Sequence, residues 1–436
     1  MFKKLSPISY HLSTLFFTAL IVRFIYCFAM PIFPVRLDEQ RYDILSNQII
    51  NGNYDLDAIS FICAPLIPFF LALIKCISIN YWQEIMLTFQ CILSALSVVY
   101  VFKLTDLLFK NKQISAIAAW FCCFYPMTFY YVKNIGQESV YQSFLIMSIY
   151  FLIKFSELKN KRDLIISAIL FSLCFLTKGI ILFWSPFIVF FIFKIKAFDW
   201  QQKFINSLIL SSLCLFFTMP FGFYNLQKHG VYTFSSDGLP TYFWFGNSEF
   251  GYHRDYLGTI YNVNNNNEIK DTAKLIYDMS PPNVSMETYQ KALQLYPLEQ
   301  ERQAIFKRNA FNWINNNAIK FIQLKIHCFI RFILWGLNYK IYPLSIWLLS
   351  VVIFAPLYVL AYLGIIKSIK LNFDTHNWIL TLFIAMLVFS VVFSFESRFR
   401  TVTLEPFYII YAAFSAYHLR IKFDFLTIVN KIKWAK

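Results

Sequence analysis

Acidic side chains are scarce in this 436-residue chain, which has 24 Asp and Glu against 39 Lys and Arg and is only 14% charged overall. A soluble domain carries about a quarter of its residues as charges, so composition alone excludes that class. The six histidines show no metal-ligand spacing, which leaves a zinc site without support. Nine cysteines fall mainly inside apolar stretches, among them Cys91, Cys122, Cys123, Cys174 and Cys214. There they read as small hydrophobes and not as a disulfide framework. No small-residue cleavage site follows the first apolar run, so a retained span is expected there and not a signal peptide. The net charge of +15 comes without a basic patch interleaved with aromatics outside the apolar runs, which excludes nucleic acid as a partner.

What the chain has in abundance is apolar and aromatic surface, 58% and 20% of residues. Runs approaching the roughly 20 apolar residues that cross a bilayer lie at about 10–32, 84–108, 114–132, 138–155, 163–178, 180–196, 205–224, 344–366, 377–395 and 401–418. The expected fold is therefore all-α and polytopic, with about 10 transmembrane helices (10–12). Charge sets the expected orientation. With a cytoplasmic N-terminus, the inner segments collect Lys3 and Lys4, Lys103 to Lys112, Lys154 to Arg162, Lys194 to Lys203, Lys367 and Lys370, and the basic tail from Arg420. The short outer loops keep only Lys133, Lys178, Arg398 and Arg400. A span at 64–79 would invert this pattern, so that run is expected to lie in the interface, and the same parity keeps 319–337 at the outer surface.

Three regions follow: 1–224, an N-terminal transmembrane module whose first outer loop is 33–83; 225–343, a long outer loop with an interfacial helix; and 344–436, the last spans and a basic cytoplasmic tail. The long loop carries Asn264–Asn267, Pro281-Pro282 and helix-like stretches near 287–318. A loop of this length is expected to cover substrate.

On this topology the rare acids collect beside cations on the outer face. Asp38 and Glu39 follow the first span, Glu138 opens the fourth, Lys178 sits at an outer turn, and Glu396, Arg398 and Arg400 precede the last span. Acids beside apolar spans are expensive and mark chemistry or a pathway. A carboxylate can deprotonate an acceptor hydroxyl while Arg and Lys hold a phosphate leaving group. Each residue also has an ordinary reading: Asp38 paired with Arg36 or Arg41, Glu138 as a first-turn acid on the helix dipole, Lys178 snorkelling, Arg398 and Arg400 anchoring a span.

At these residues the chain resembles the GT-C integral-membrane glycosyltransferases, in the branch of bacterial protein-mannosyltransferase-like and lipid A aminoarabinose transferase-like enzymes. Asp38-Glu39-Gln40-Arg41-Tyr42 resembles the first-loop Asp-Glu-x-x-Tyr motif, followed by Asn51-Gly52 and the Pro65–Ile74 run. Glu138-Ser139-Val140, Leu176-Thr177-Lys178-Gly179, Pro220–Asn225, Gly230, Ser235–Gly238, Gly246-Asn247 and Glu396–Arg400 with Glu405-Pro406 resemble later family stretches in order. The resemblance implies an inverting enzyme that moves a sugar from a polyprenyl-phosphate donor to a lipid, glycan or protein acceptor on the outer membrane face, as a hexosyl- or pentosyltransferase of the cell envelope. It implies Asp38 as base with Glu39 supporting or sharing that role, Glu138 orienting acceptor or base, and Lys178, Arg398 and Arg400 on the donor phosphate. Tyr42, Asn225, Asn247 and Glu396 are the substrate-loop candidates. The implied location is a bacterial inner membrane, with both termini cytoplasmic and the site extracytoplasmic. No cofactor is indicated, and a divalent metal stays open. Two departures stand out: Cys63-Ala64-Pro65 replaces a Lys-Pro-Pro-like stretch, which argues against a close aminoarabinose transferase, and Phe399 replaces a Tyr. The competing readings are a transporter or flippase of lipid-linked sugar, which would carry mid-span charges and internal repeats, and a polysaccharide ligase or polymerase, which would lack the early Asp-Glu pair. Arg23 is the main charge within a span, and no repeat is visible.

Overall fold

The computed structural model describes residues 11–29, 37–52, 64–230, 232–233, 239–257, 299–334, 343–393 and 397–419. Among these residues there is no strand. The helices in chain order are α1 (Leu12–Ala29), α2 (Leu37–Ile50), α3 (Leu66–Ile77), α4 (Trp82–Phe109), α5 (Lys112–Phe124), α6 (Pro126–Lys133), α7 (Gln137–Leu158) and α8 (Lys161–Thr177). A 3-10 turn, Gly179–Trp184, leads into α9 (Ser185–Lys194), then α10 (Trp200–His229) and α11 (Leu239–Gly246). After a short π-helical segment, Tyr252–Leu257, come α12 (Glu299–Asn316), α13 (Ala318–Ile333), α14 (Leu344–Leu371), α15 (Phe373–Val392), α16 (Ser397–Thr403) and α17 (Glu405–His418). The Asn264–Asn267 and Pro281-Pro282 stretches and the basic tail from Arg420 lie outside the described residues.

All ten apolar runs contain helix, yet six helices meet the length and hydropathy of a membrane span: α1, α4, α7, α10, α14 and α15. The bent pair α5 and α6 makes a seventh. Among the described residues the other three apolar runs form the shorter helices α8, α9 and α17, of 17, 10 and 14 residues. At 14 residues, α17 lies inside the protein, with Glu405 through Ala416 all buried. It packs on α14 so closely that a Cβ at Gly364 would stand 2.1 Å from the Tyr411 carbonyl. The run at 64–79 forms the 12-residue α3, too short to cross.

The bend between α5 and α6 is 42° and follows from Pro126. Proline has no N–H to give to the carbonyl four residues back, and that carbonyl, on Cys122, accepts instead from the Thr128 hydroxyl at 3.0 Å. Arg23, fully buried on α1, donates to the Cys123 carbonyl at 3.3 Å, to Ser94 Oγ at 2.7 Å and to Thr128 Oγ1 at 3.4 Å. The charge within the first span thus mends a broken helix. It serves packing between α1, α4 and the α5–α6 bend.

Ion pairs sort the helix ends. Lys110–Glu157, Lys112–Asp106, Lys154–Asp163 and Lys196–Asp374 tie together the turns at one end of the bundle. Glu39, Glu138, Lys178 and Arg398 lie at the opposite end, since α7 and α8 each run the length between the two. There α2 is pinned to α3 by Lys75, whose ammonium donates to Asp43, to Ser46 Oγ at 2.7 Å and to Asn47 Oδ1 at 2.7 Å, and rests 4.9 Å from the Trp82 ring. Replacing the lysine strands these three acceptors beside a buried stem. Lys75→Met is expected to cost about 2 kcal/mol and to speed backbone hydrogen exchange across 37–50, read by mass spectrometry in nanodiscs, while exchange in α7 and α8 stays as in the parent.

Candidate functional site

The site is built around a turn, residues 134–136, between α6 and α7. Glu39, one turn into α2, accepts the Ile135 N–H at 2.9 Å through Oε1. The first acidic motif is thereby joined to the segment that launches α7 and its second residue, Glu138. Asp38 lies on the same helical turn of α2, with its side chain outside the described residues. Gln90 supports the turn from α4: its Nε2 donates to the carbonyls of Val132 at 2.7 Å and Asn134 at 2.9 Å, and its Oε1 accepts Gly136 N–H at 3.3 Å.

Glu138 gathers the cations. Lys178 Nζ donates to Glu138 Oε1 at 2.9 Å, and an Arg398 guanidinium nitrogen stands 3.8 Å from the same oxygen. Lys178 is on the residue joining α8 to the 3-10 turn, where the chain becomes extended after α8 ends. Its side chain is 6% exposed, that of Glu138 13% and that of Arg398 32%, so the cluster opens outward on the Arg398 side. The Phe399 ring lies 4.8 Å from the Lys178 ammonium and 5.5 Å from the Arg398 guanidinium. The aromatic ring thus lies against both cations. Packed close to water-poor walls, cations of this kind act strongly on an anion.

Arg400 is placed differently from Arg398. It is 3% exposed, and its Nη1 donates to the carbonyls of Arg331 at 2.9 Å, Phe332 at 3.0 Å and Leu334 at 2.6 Å. These are carbonyls at the C-terminal end of α13, where a helix lacks internal partners and its dipole favours a cation. Behind Arg400 stands Glu405, which accepts from Tyr125, from Tyr358 and from Thr401 Oγ1 at 2.9 Å, with Arg400 Nε 3.9 Å away. The Arg398/Arg400 pair expected to act together on phosphate is divided, with Arg398 at the acid–cation cluster and Arg400 on the end of α13.

The substrate-loop candidates have structural partners. Tyr42 is buried in an apolar cluster with Ile67, Leu71 and Met86. Asn225 Nδ2 donates to the Thr233 carbonyl at 2.7 Å. Asn247 Nδ2 donates to the carbonyls of Phe243 at 2.6 Å and Val392 at 2.9 Å, tying α11 to the end of α15. Lys325 of α13 reaches the Gly246 carbonyl at 2.9 Å and the Val392 carbonyl at 3.4 Å, and burial pushes its ammonium down to about 8. Nearby, Glu249 holds Lys320 at 2.7 Å and Trp313 Nε1 at 2.8 Å. Burial raises the Glu249 carboxyl, but these two donors outweigh it and keep the group below its usual range. Glu396 lies outside the described residues. Among the described residues no group of three His, Cys, Asp or Glu side chains is arranged to hold a metal ion.

Gln90, Gly136, Tyr125 and Tyr358 have no signature in the sequence. Gln90 is one amide in a long apolar run, and the sole hint is that a polar side chain there must find a partner.

The helical architecture is similar to the GT-C fold of a solved archaeal enzyme. It superposes on the archaeal oligosaccharyltransferase AglB from Archaeoglobus fulgidus, in complex with an inhibitory peptide and a dolichol-phosphate, with a TM-score of 0.54 at 14% identity over 98% of this chain and 52% of that one. A second structure of the Archaeoglobus fulgidus oligosaccharyltransferase, tethered to an acceptor peptide containing the NVT sequon, matches with a TM-score of 0.54 at 14% identity over 94% of this chain and 49% of that one. The chain spans about half the length of these structures. Within the fold, residues 63–224 match the family model described as dolichyl-phosphate-mannose-protein mannosyltransferase. No curated protein matches the sequence. The matched segment contains Glu138 and Lys178, the turn that Glu39 contacts, and Gln90.

The divided arginines separate in experiment. Arg400→Ala leaves the end of α13 without its partner and exposes Glu405 to burial without its cation, a loss of about 3 kcal/mol that appears as a lowered melting temperature in detergent. Arg398→Ala, at a partly open position, leaves the melting temperature within about a degree of the parent. Equal destabilisation by both would contradict the division.

Proposed function

We propose that this chain is an inverting glycosyltransferase that moves a sugar from a polyprenyl-phosphate donor to an acceptor on the outer face of a bacterial inner membrane. The observation that carries the reading is the convergence of Glu39, Glu138, Lys178 and Arg398 at one end of a GT-C bundle. Breaking the bond between sugar and phosphate places growing negative charge on the leaving phosphate. Lys178 and Arg398, held by Glu138 and steadied on Phe399, are fixed cations in position to stabilise it. On the opposite face of the sugar, a carboxylate takes the proton of the acceptor hydroxyl as the new bond forms, in a single displacement with inversion. Asp38 is assigned that proton. Glu39, bound to the Ile135 N–H, fixes the helical turn that carries Asp38. Glu138 orients the cations. The dolichol-phosphate held by the AglB structure and the mannosyl phospholipid donor in the family model's description support a lipid-phosphate donor of the same chemistry.

The transporter reading loses its main support, because Arg23 is engaged with Ser94, Thr128 and the Cys123 carbonyl. Cells lacking the chain are expected to accumulate one polyprenyl-phosphate sugar, detected by mass spectrometry of extracted lipids. Restoring the parent gene removes the accumulation, and Asp38→Asn, expressed at parent level, leaves it in place. Lys178→Ala and Arg398→Ala lower the transfer rate by about a hundredfold each. Normal clearance of the lipid by Asp38→Asn would remove Asp38 from the mechanism.

A further inference from the structure

We propose that Gln90 is a positioning residue for transfer, acting through the 134–136 turn on the two acidic motifs at once; this rests on the glycosyltransferase reading above. Gln90 lies within α4, a membrane-length helix, and is fully buried. A lone carboxamide there is costly unless each polar atom is paired. Its pairing is complete: Nε2 serves two carbonyls, of Val132 and Asn134, and Oε1 takes the Gly136 N–H. These three backbone groups frame the residue whose N–H holds Glu39, Ile135. They also immediately precede α7, where Glu138 is the second residue.

The turn leaves little slack. Residues 134 and 136 are both extended, so the segment makes no helical hydrogen bonds of its own. A Cβ at position 136 would sit 3.2 Å from Glu138 Oε2, so the acid folds back over the glycine while its other oxygen meets Lys178. One side chain from α4 therefore sets the separation between Glu39 and Glu138. The two acids meet the turn at different atoms, Glu39 at the Ile135 N–H and Glu138 over Gly136.

Three variants follow from the atoms involved. Gln90→Leu keeps the volume and removes both donors and the acceptor. Gln90→Glu keeps an acceptor for Gly136 N–H and removes the donation to Val132 and Asn134. Gly136→Ala keeps the Gln90 bonds and presses directly on Glu138. Each is made in the full chain, in membrane vesicles from cells lacking the native gene, with the polyprenyl-phosphate sugar that those cells accumulate as the donor probe. Gln90→Leu is expected to slow transfer by about tenfold to a hundredfold, the scale of a displacement of about 1 Å at a reacting group. Gln90→Glu falls between Gln90→Leu and the parent.

Two measurements keep a structural role apart from a positioning role. The first is hydrogen exchange in nanodiscs, which needs no substrate: Gln90→Leu accelerates exchange at 134–138 and at the start of α2, with α8 and α14 unchanged. The second is a double-mutant comparison. If Gln90 acts through Glu39 and Glu138, then Gln90→Leu slows the Glu39→Gln enzyme and the Glu138→Gln enzyme each by less than it slows the parent; a general loss of fold multiplies the defects in full. Multiplied defects, unchanged exchange at the turn, or full transfer with accelerated exchange would each overturn the proposal. If Gln90→Leu does not accumulate in the membrane, Gln90→Glu and Gly136→Ala are read in the same way. Failure of the underlying reading looks different: cells lacking the chain would accumulate no polyprenyl-phosphate sugar and the parent chain would transfer none, while the exchange data would still report whether Gln90 holds the turn.

Discussion

Inside a bilayer a backbone N–H or C=O without a partner costs several kcal/mol, and no water is present to supply one. Among the described residues several helix ends and breaks are covered by polar side chains, most of them reaching from a distant part of the chain. The break at Pro126 is mended by Arg23 and Thr128. The turn before α7 is held by Gln90, the end of α13 by Arg400, and the end of α15 by Asn247 with Lys325. The functional end of the molecule consists largely of these covered interruptions. A continuous helix could not place Glu39, Glu138, Lys178 and Arg398 beside one another, because the chain must leave helical geometry to turn each side chain inward.

The same economy explains how few acids suffice. Glu138 serves Lys178 and Arg398 together, and Phe399 lies against both cations. Glu405 is the opposite case. Surrounded by Tyr125, Tyr358, Thr401 and Arg400 and wholly internal, it spends its charge on fastening α17 to α5, α14 and α16. Two glutamates of the same chain thus take separate duties, decided by whether the surrounding donors leave an opening.

Much of this was legible in the residues, and the boundary has physical causes. Helix and membrane were readable because apolar runs report a free energy summed over some 20 neighbouring positions. The burial of α17 was not, since it is as apolar as a span but packs inside the protein, and hydropathy cannot tell lipid from a packed neighbour. Glu138 and Lys178 were readable as a pair at helix ends on one side. Arg398 and Arg400 were not separable, being two residues apart in a short helical turn whose faces meet different surroundings. Asn225 and Asn247 are substrate-loop candidates whose bonds to backbone carbonyls no short stretch of sequence reports.

The sequence by itself determined the class of molecule, the positions of its helices and the few charged residues that meet at helix ends, because each of those follows from local composition and periodicity. Tertiary structure alone decided which carboxylate meets which cation, that Arg23 repairs a helix, and that Gln90 bridges two acidic motifs 99 positions apart at their extremes, Glu39 and Glu138. Such pairings depend on the distance between helices far apart in the chain. That distance is set by packing across the whole bundle, of which no short stretch carries a record.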